Sequence, residues 1–406
     1  MRMNQPLVAL DIGSTKVACA IGQAHDPSTP PPWRGRSGFR PAGVQGGAAG
    51  LHGASGFELL GSSVVPYRGS IEAWLGEPLM VGQAIEQALE ATAVTGAFHR
   101  ALVAVTHPSL ASERVRVSLA LGDEPVVIRA HDLERLKTSA LNQALGIDRD
   151  PLLVERLSCD GNGFEGVRDP CGLSATRLRA AFHVITMPIA ARRALVQAVE
   201  SAGLEVAWLT STLPAAWAGG SHEGPGGKRG ILIDAGGLTT ALGLFVDGVL
   251  HRAHFVPWGG VTLSATIAKA LQVTMDQAMT WSLQGTACRH PAVRTIIESQ
   301  WGDLQQGIDG LLKDQPRPET ILISGRGGLM DGFVEWVERT TQIPTSLCRS
   351  VRMTRLGDLP GQVGLTTAIG LLELATRTSP TPLLRSSSHL LDRLLDRTRA
   401  VLTEYF

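Results

Sequence analysis

The chain has 406 residues, of which 44% are apolar, 18% charged and 5% aromatic, with 37 Lys+Arg against 37 Asp+Glu. That length predicts about two to four domains, the apolar content excludes wholesale disorder, and the zero net charge argues against a nucleic-acid binder with a basic footprint spread along the chain. The five scattered cysteines (Cys19, Cys159, Cys171, Cys288, Cys348) form no CxxC pair and no Cys/His ligand spacing, which speaks against a disulfide framework or a structural zinc.

In chain order, Met1-Arg2-Met3-Asn4-Gln5 has neither an apolar h-region nor a cleavage site and is not read as a signal peptide. Residues 7–10 and 16–21 are short apolar runs around Asp11-Ile12-Gly13-Ser14-Thr15, the pattern of a β-hairpin with a polar, Gly-bearing turn. Residues 24–55 are rich in Pro, Gly and Ala and predict a disordered insertion. Strand pattern resumes at 57–60, helical spacing at 82–95 (Ile85, Ala88, Leu89, Thr92), strands at 101–106 and 115–121, and a helix at 131–145. Residues 181–187 read as a buried strand, 190–202 as a helix closed by Gly203, and 206–210 as a strand. A Gly-rich loop at 221–230 leads into a second hairpin pattern over 231–246. Helical patterns fill 264–271 and 292–312, and 321–324 is a last buried strand opening into Gly325-Arg326-Gly327-Gly328. A helix is expected at 362–375, a Ser/Thr/Pro linker at 376–388 and a final helix at 390–406. No run of about 18 uncharged apolar residues occurs, so no spanning helix is expected, and the chain reads as reduced, cytoplasmic and soluble, with membrane contact coming from its end.

Strands alternating with helices imply an α/β fold, and a unit of strand, Asp-x-Gly turn and strand occurs twice, at 7–21 and 231–246. Two such halves facing each other make a cleft. In the first turn, Gly13, Ser14 and Thr15 offer backbone N–H and hydroxyl donors to a phosphate, Asp11 suits Mg²⁺ through water, and Lys16 neutralises phosphate charge. An ordinary β-turn accounts equally well for that turn alone. The second turn, Asp234-Ala235-Gly236-Gly237-Leu238-Thr239-Thr240, follows the same logic, and Gly325, Gly327 and Gly328 after a buried strand let backbone approach a flat ligand. No GxxxxGK[ST] is present, which excludes a P-loop. The candidate nucleotide-binding residues are Asp11, Gly13, Ser14, Thr15, Lys16, Asp234, Gly236, Gly237, Thr239, Thr240, Gly325, Gly327 and Gly328. His107, His183, His251 and His254 lack metal spacing and read as structural, so no metal site is assigned to protein ligands. Arg192-Arg193 reads as a solvated helix face, and Glu113, Arg114 and Arg116 as solvent-facing strand residues.

The order and character of these segments resemble the ATPase superfamily that includes actin and the sugar kinases. Residues 11–16 look like its first phosphate motif, 234–240 its second and 321–328 its adenosine motif. Within it, the tract Cys159-Asp160-Gly161, Gly166-Val167-Arg168-Asp169-Pro170-Cys171-Gly172-Leu173, Arg177-Leu178 and Ala181-Phe182-His183-Val184-Ile185-Thr186 is similar to the end of the inserted subdomain of the FtsA family of actin-like bacterial cell-division proteins. Val256-Pro257-Trp258-Gly259-Gly260 also resembles that family, and the likeness spans nearly the whole chain outside 24–55. It implies an actin-like (ribonuclease H-like) two-lobed ATPase fold with a small inserted α+β subdomain. The expected boundaries are 1–84, 166–205 and 345–380 for the first lobe, 85–165 for the insertion and 206–344 for the second lobe. The departures are Leu238 for a glycine, Ala241 and Thr266 for aspartates, loss of an acidic-plus-lysine pair near Ala278 and Trp281, and a bulky Arg326. Each removes a charge or a close backbone approach, so the implied ligands, ATP and Mg²⁺, are expected to bind weakly or not at all, with negligible turnover and no catalytic residue.

At about 100° per residue, Leu390, Leu391, Leu394, Leu395, Thr398, Val401, Leu402, Tyr405 and Phe406 share one face of the final helix, spanning an arc of about 160°. A helix so segregated, on a Pro/Ser linker, suits a membrane interface, with Leu390, Leu391, Leu394, Leu395, Val401, Leu402, Tyr405 and Phe406 as the membrane-binding residues. Docking on its own domain or a partner is the other reading, and the linker argues against it. The resemblance implies a peripheral protein on the cytoplasmic face of the inner membrane at the division site. It would anchor the tubulin-like protein FtsZ there, recruit later division proteins and self-assemble, with no nucleic-acid partner. Alternatives are an actin-like pilus-assembly adaptor and a sugar or metabolite kinase of the same fold; the kinase needs a carboxylate aimed at a hydroxyl, and none stands in such a context.

Overall fold

A computed structural model of the protein describes residues 6–24, 57–67, 77–220, 229–283, 290–348 and 359–377. The chain opens on β1 (Leu7–Ile12), β2 (Lys16–Ala24) and β3 (Phe57–Pro66), followed by α1 (Pro78–Ala91) and β4 (Arg100–Val105). A second group comprises β5 (Ala111–Ala120), β6 (Val126–Val127), α2 (Ala130–Ala144), β7 (Arg149–Gly161), β8 (Phe164–Val167), β9 (Ser174–Ala175) and β10 (Arg177–Pro188). Then come α3 (Ile189–Ser201), β11 (Glu205–Ser211) and α4 (Thr212–Gly220). A third group holds β12 (Arg229–Ala235), β13 (Thr240–Val246), β14 (Val249–Val256), α5 (Gly260–Leu271), α6 (Met275–Leu283), α7 (Pro291–Gln300) and α8 (Gly302–Leu312). It closes with β15 (Thr320–Ser324), a 3-10 turn (Arg326–Leu329), α9 (Phe333–Thr341), β16 (Thr345–Leu347) and the last described helix, α10 (Leu359–Arg377).

Two five-stranded sheets share one topology. The first runs β3-β2-β1-β4-β11 and the second β14-β13-β12-β15-β16. In each, the first three strands are antiparallel and the last two run parallel to the central one. The expected duplication of hairpins is thus a duplication of whole sheets, and the fold is the actin-like two-lobed α/β architecture. A separate four-stranded sheet, β5-β10-β7-β8, packs with α2 around Val115, Leu136, Cys159, Leu178 and Phe182 and forms the inserted subdomain.

Strand alternation explains how the first sheet is covered on both faces. Val8, Leu10, Ile12, Val17, Cys19 and Ile21 pack against α1 and α3, while Ala9, Ala18, Ala20 and Ala104 face α4 and α10. Small residues on that second face let the helices sit close. The two helices also approach each other closely: a Cβ on Gly370 would lie 1.7 Å from the Ala215 carbonyl oxygen, and one on Gly219 would lie 2.2 Å from that of Thr366. Helix α4 lies at the joint between the sheets, where Trp217 stacks on Phe245 of the second sheet at 4.3 Å. The opposite face of the second sheet, with Ile231, Ile233, Leu244 and Ile323, is buried under Leu263, Ile297, Leu304 and Phe333.

Several expectations need correcting. The first sheet and its helices extend past the expected boundary at 84: α1 packs on β2 and β3, and β4 pairs with β1 from Val8↔Ala101 to Ile12↔Val105. Conversely, β9 and β10, assigned by sequence to the first lobe, and β8, which straddles the expected boundary at 165, complete the sheets of the insertion. Likewise β11 joins the first sheet rather than the second. The helical pattern at 292–312 is two helices broken at Trp301, whose buried indole sits 4.7 Å from Trp336. Thr376 belongs to α10 rather than to a linker. Arg192 is not a solvated residue: its Nη1 bonds Asp150 Oδ2 at 2.9 Å, and both side chains are largely buried. The segment 25–56 and the final helix at 389–406 lie outside the described residues. No helix among the described residues is long and apolar enough to cross a membrane.

Candidate functional site

The site lies where the tips of the two matching hairpins meet. In the first turn the Gly13 N–H donates to the Lys16 carbonyl at 3.0 Å, and in the second the Gly236 N–H donates to the Thr239 carbonyl at 3.0 Å. The two tips touch. The Leu238 N–H donates to Ser14 Oγ at 3.1 Å, and a Cβ on Gly237 would lie 2.5 Å from Thr15 Oγ1, so only glycine permits this approach.

Charge sits at the base of these turns. Asp11, buried at the end of β1, takes an ion pair from Lys16 Nζ at 2.7 Å. The same ammonium donates to the Gly364 carbonyl of α10 at 2.9 Å, which ties the first turn to that helix. Asp234, half-buried on β12, accepts from Ser324 Oγ at 2.8 Å. Burial raises the Asp234 pKa and the Asp11 carboxylate raises it further, against the hydrogen bonds of Thr212 and Ser324 and the charge of Lys16. The charges of both Asp11 and its partner Lys16 thus act on Asp234, in opposite directions.

The remaining predicted residues fall around this centre. Thr239 and Thr240 are buried, and Thr240 Oγ1 donates to the Trp258 carbonyl at 2.9 Å. Gly325 adopts φ +79°, a left-handed backbone that favours glycine, and a Cβ there would lie 2.3 Å from the Ala235 carbonyl oxygen. Gly327 packs on the carbonyls of Ala235 and Gly236, and Gly328 on Ile323. The structure thus brings Asp11, Gly13, Ser14, Thr15, Lys16, Asp234, Gly236, Gly237, Thr239, Thr240, Gly325, Gly327 and Gly328 into one region at the mouth of the two sheets. The proposed membrane-binding residues Leu390, Leu391, Leu394, Leu395, Val401, Leu402, Tyr405 and Phe406 lie outside the described residues.

Three contributors were missed in the sequence. The Tyr67 hydroxyl donates to the Gly13 carbonyl and its N–H to the Thr15 carbonyl, and burial followed by the charge of Asp11 raises its pKa. Thr212 and Ser324 bond the Asp234 carboxylate. Tyr67 and Thr212 come from elements outside the motifs and no local spacing announces them, whereas Ser324 ends the 321–324 strand, read from sequence only as buried.

This arrangement does not fit a triphosphate as it stands. The Leu238 N–H is taken by Ser14, and the first N–H groups of α5, from Gly260 and Val261, donate to the carbonyls of Gly236 and Gly237 at 3.0 and 2.8 Å. Helix N-terminal donors and turn amides are what hold phosphate in such sites, and here other protein atoms use these three. Where the resemblance implies polar nucleoside contacts, Ala278 is buried in the second core and Trp281 stacks on His290 at 5.5 Å. Among the described residues, no group of three His, Cys, Asp or Glu is placed to hold a metal.

Comparison with known proteins agrees with these features. Residues 108–186 match the SHS2 domain inserted in FtsA, a span that coincides with the β5–β10 unit. The chain is 24% identical to the cell division protein FtsA of Pseudomonas aeruginosa over 92% of its own length and 89% of that protein. It is 28% identical to FtsA of Rhizobium meliloti over 66% of this chain and 57% of the relative. Among solved structures, the PilM–PilN type IV pilus biogenesis complex matches with a TM-score of 0.66 at 13% identity, covering 92% of this chain and 98% of the other. The ethanolamine utilization protein EutJ of Carboxydothermus hydrogenoformans matches with a TM-score of 0.50 at 13% identity, covering 90% and 89%. These two structures establish the actin-like fold alone. The sequence matches show a chain similar to FtsA along nearly its whole length, at about a quarter identity.

Proposed function

We propose that this divergent FtsA relative is a cell-division protein of the cytoplasmic face of the inner membrane. It binds FtsZ there, recruits later division proteins and associates with its own copies. The observation that carries this reading is the SHS2-type insertion at 108–186, set within an actin-like body that resembles FtsA along nearly its whole length. The membrane is reached through residues 389–406, whose apolar positions share one helical face. Burying Leu391, Leu394, Leu395 and Leu402 at about 1.5–3 kcal/mol each, less the cost of ordering, suits reversible binding by one helix. Self-association multiplies that attachment through avidity. Nucleotide plays a minor part. Asp11, Gly13, Thr15, Gly236 and Thr239 remain able to line a phosphate, but the occupied amides and the loss of carboxylates at Ala241 and Thr266 favour weak ATP–Mg²⁺ binding and negligible turnover.

Flotation of the full chain with phosphatidylethanolamine/phosphatidylglycerol vesicles, with FtsZ added, tests the reading. The wild type should float and carry FtsZ. Deletion of residues 389–406, or Leu394→Glu, should leave both proteins at the bottom, while Arg397→Ala should still float. Retention by Leu394→Glu together with loss by Arg397→Ala would replace the membrane anchor with a helix that docks on an acidic partner. Flotation without FtsZ would separate membrane binding from the division role. Calorimetry giving low-micromolar ATP affinity with robust phosphate release would overturn the nucleotide reading.

A further inference from the structure

A cavity of about 340 Å³ opens between the inserted subdomain and the second lobe. Ser112 and Arg114 of β5 form one wall, Arg252, Ala253 and His254 of β14 another, and α8 closes the third side with Gln306 and Leu311 and the backbone at Gly307 and Gly310. Both β5 and β14 are edge strands of their sheets, and they lie against each other here. On each strand the charged or polar pair is spaced by two, so strand alternation turns both members toward the same side.

The lining is one-sided in charge. It holds two guanidinium groups and an imidazole and contains no carboxylate. Arg252 has a structural role as well: its Nη1 donates to the Lys313 carbonyl at 2.9 Å, which fixes the side chain beside the cavity. Arg114 makes no hydrogen bond or ion pair among the described residues, and its pKa is lowered by burial, then by the charges of Arg252 and Arg116. Arg114 also lowers the pKa of the neighbouring His183 and His251, again after burial. Arg114 is exposed and Arg252 half-buried, and with no neutralising acid in the lining these like charges from two parts of the fold leave the cavity positively charged. Arg252 is tied to the end of α8 and His254 packs on Gly307, whereas Arg114 bonds nothing among the described residues. A bound anion would neutralise that charge.

We infer that this cavity is a binding site for a compact phosphate-bearing polyanion, gripped by Arg114 from the inserted subdomain and by Arg252 and His254 from the second lobe. Guanidinium forks match phosphate oxygens in two-point contacts, Gln306 adds a neutral donor, and Gly310, with open space where a Cβ would stand, leaves room for close approach. Its volume suits a small ligand. An anion seated here bridges the insertion and the second lobe, and so couples the ligand to their relative position. The inference rests on the geometry of this cavity and not on the division role or on the hairpin-tip site.

Inorganic pyrophosphate is the probe, with binding to the full chain followed by calorimetry. The wild type should bind it, and Arg114→Gln should weaken binding by at least about tenfold, the loss expected for one hydrogen bond to a charged group. His254→Gln should weaken it less. Arg114→Glu should abolish binding and raise the melting temperature, because the new carboxylate neutralises Arg252. That rise also shows that the variant folds. No binding to the wild type would overturn the site. So would binding that survives Arg114→Gln and Arg114→Glu but disappears in Lys16→Met, which places pyrophosphate at the hairpin tips instead.

Discussion

The two hairpin tips begin from the same backbone and end with different chemistry. Both follow an aspartate at a strand end, and both close through a glycine N–H to a carbonyl three residues on at 3.0 Å. The first tip is held by its own ion pair, Lys16 to Asp11, and from outside by Gly364 and by Tyr67 to Gly13 and Thr15. The second is held mainly by its own lobe, through the start of α5, Trp258 and Ser324, and carries no cation. Duplicated sheet topology thus sets where a turn sits, while the contacts that satisfy it come from whichever elements happen to surround it. The first turn depends on charge balance and the second on close backbone packing.

Substitutions that strike one tip at a time break this comparison most sharply. Lys16→Met leaves the Asp11 carboxylate largely buried and unpaired beside Asp234, and should lower unfolding free energy by about 3 kcal/mol in urea titrations. Adding Asp11→Asn should recover more than half of that loss. Gly236→Ala sets a Cβ 2.7 Å from the Thr239 carbonyl oxygen and should cost about 2 kcal/mol. The matching Gly13→Ala meets the Lys16 carbonyl at 3.4 Å and should cost less than about 1 kcal/mol. Equal costs would mean that the turns do not differ in packing.

Two finer tests sharpen it. Ser14→Ala frees the Leu238 N–H at a stability cost of about 1 kcal/mol, and should strengthen binding of a fluorescent ATP analogue if the contact between the tips keeps phosphate out. The smallest effect is in pH. The folded-state pKa of Asp234 is raised, first by burial and then by Asp11. Its contribution is therefore fully present below the ordinary aspartate value, about 4, and is lost as pH rises through the raised folded pKa. Stability of Asp234→Asn relative to the wild type should accordingly increase from acid toward neutral pH. Unfolding curves at several pH values would show a flat difference if Asp234 were not perturbed.

Much of the architecture was legible because its signals are local. The apolar runs around Asp11 and Asp234 predicted both hairpins, and the glycines at 325, 327 and 328 marked a turn that packs on backbone. Elements without a clear period escaped. Strand β7 mixes half-buried charged positions with a proline, and α4 is buried almost all round, so neither shows the amphipathic pattern that sequence reading relies on. The boundary of the insertion was misplaced because β4 looks like any strand until its partner is known, and that partner, β1, is about ninety residues away. The same reason hid Tyr67 and Thr212 from the site. The basic lining of the cavity beside β5 was hidden too, since Arg114 and Arg252 meet only through the packing of two sheet edges.

Helix α10 has a mechanical consequence. Its backbone near Gly364 holds the Lys16 ammonium, and Arg326 of the second lobe reaches the same turn of helix. Further along, Gly370 locks it against α4 at the joint between the sheets. The chain beyond residue 377 continues from the far end of this helix. A pull on the tail is therefore delivered lengthwise through a stiff rod to the joint and the hairpin tips, rather than being absorbed at a sheet edge.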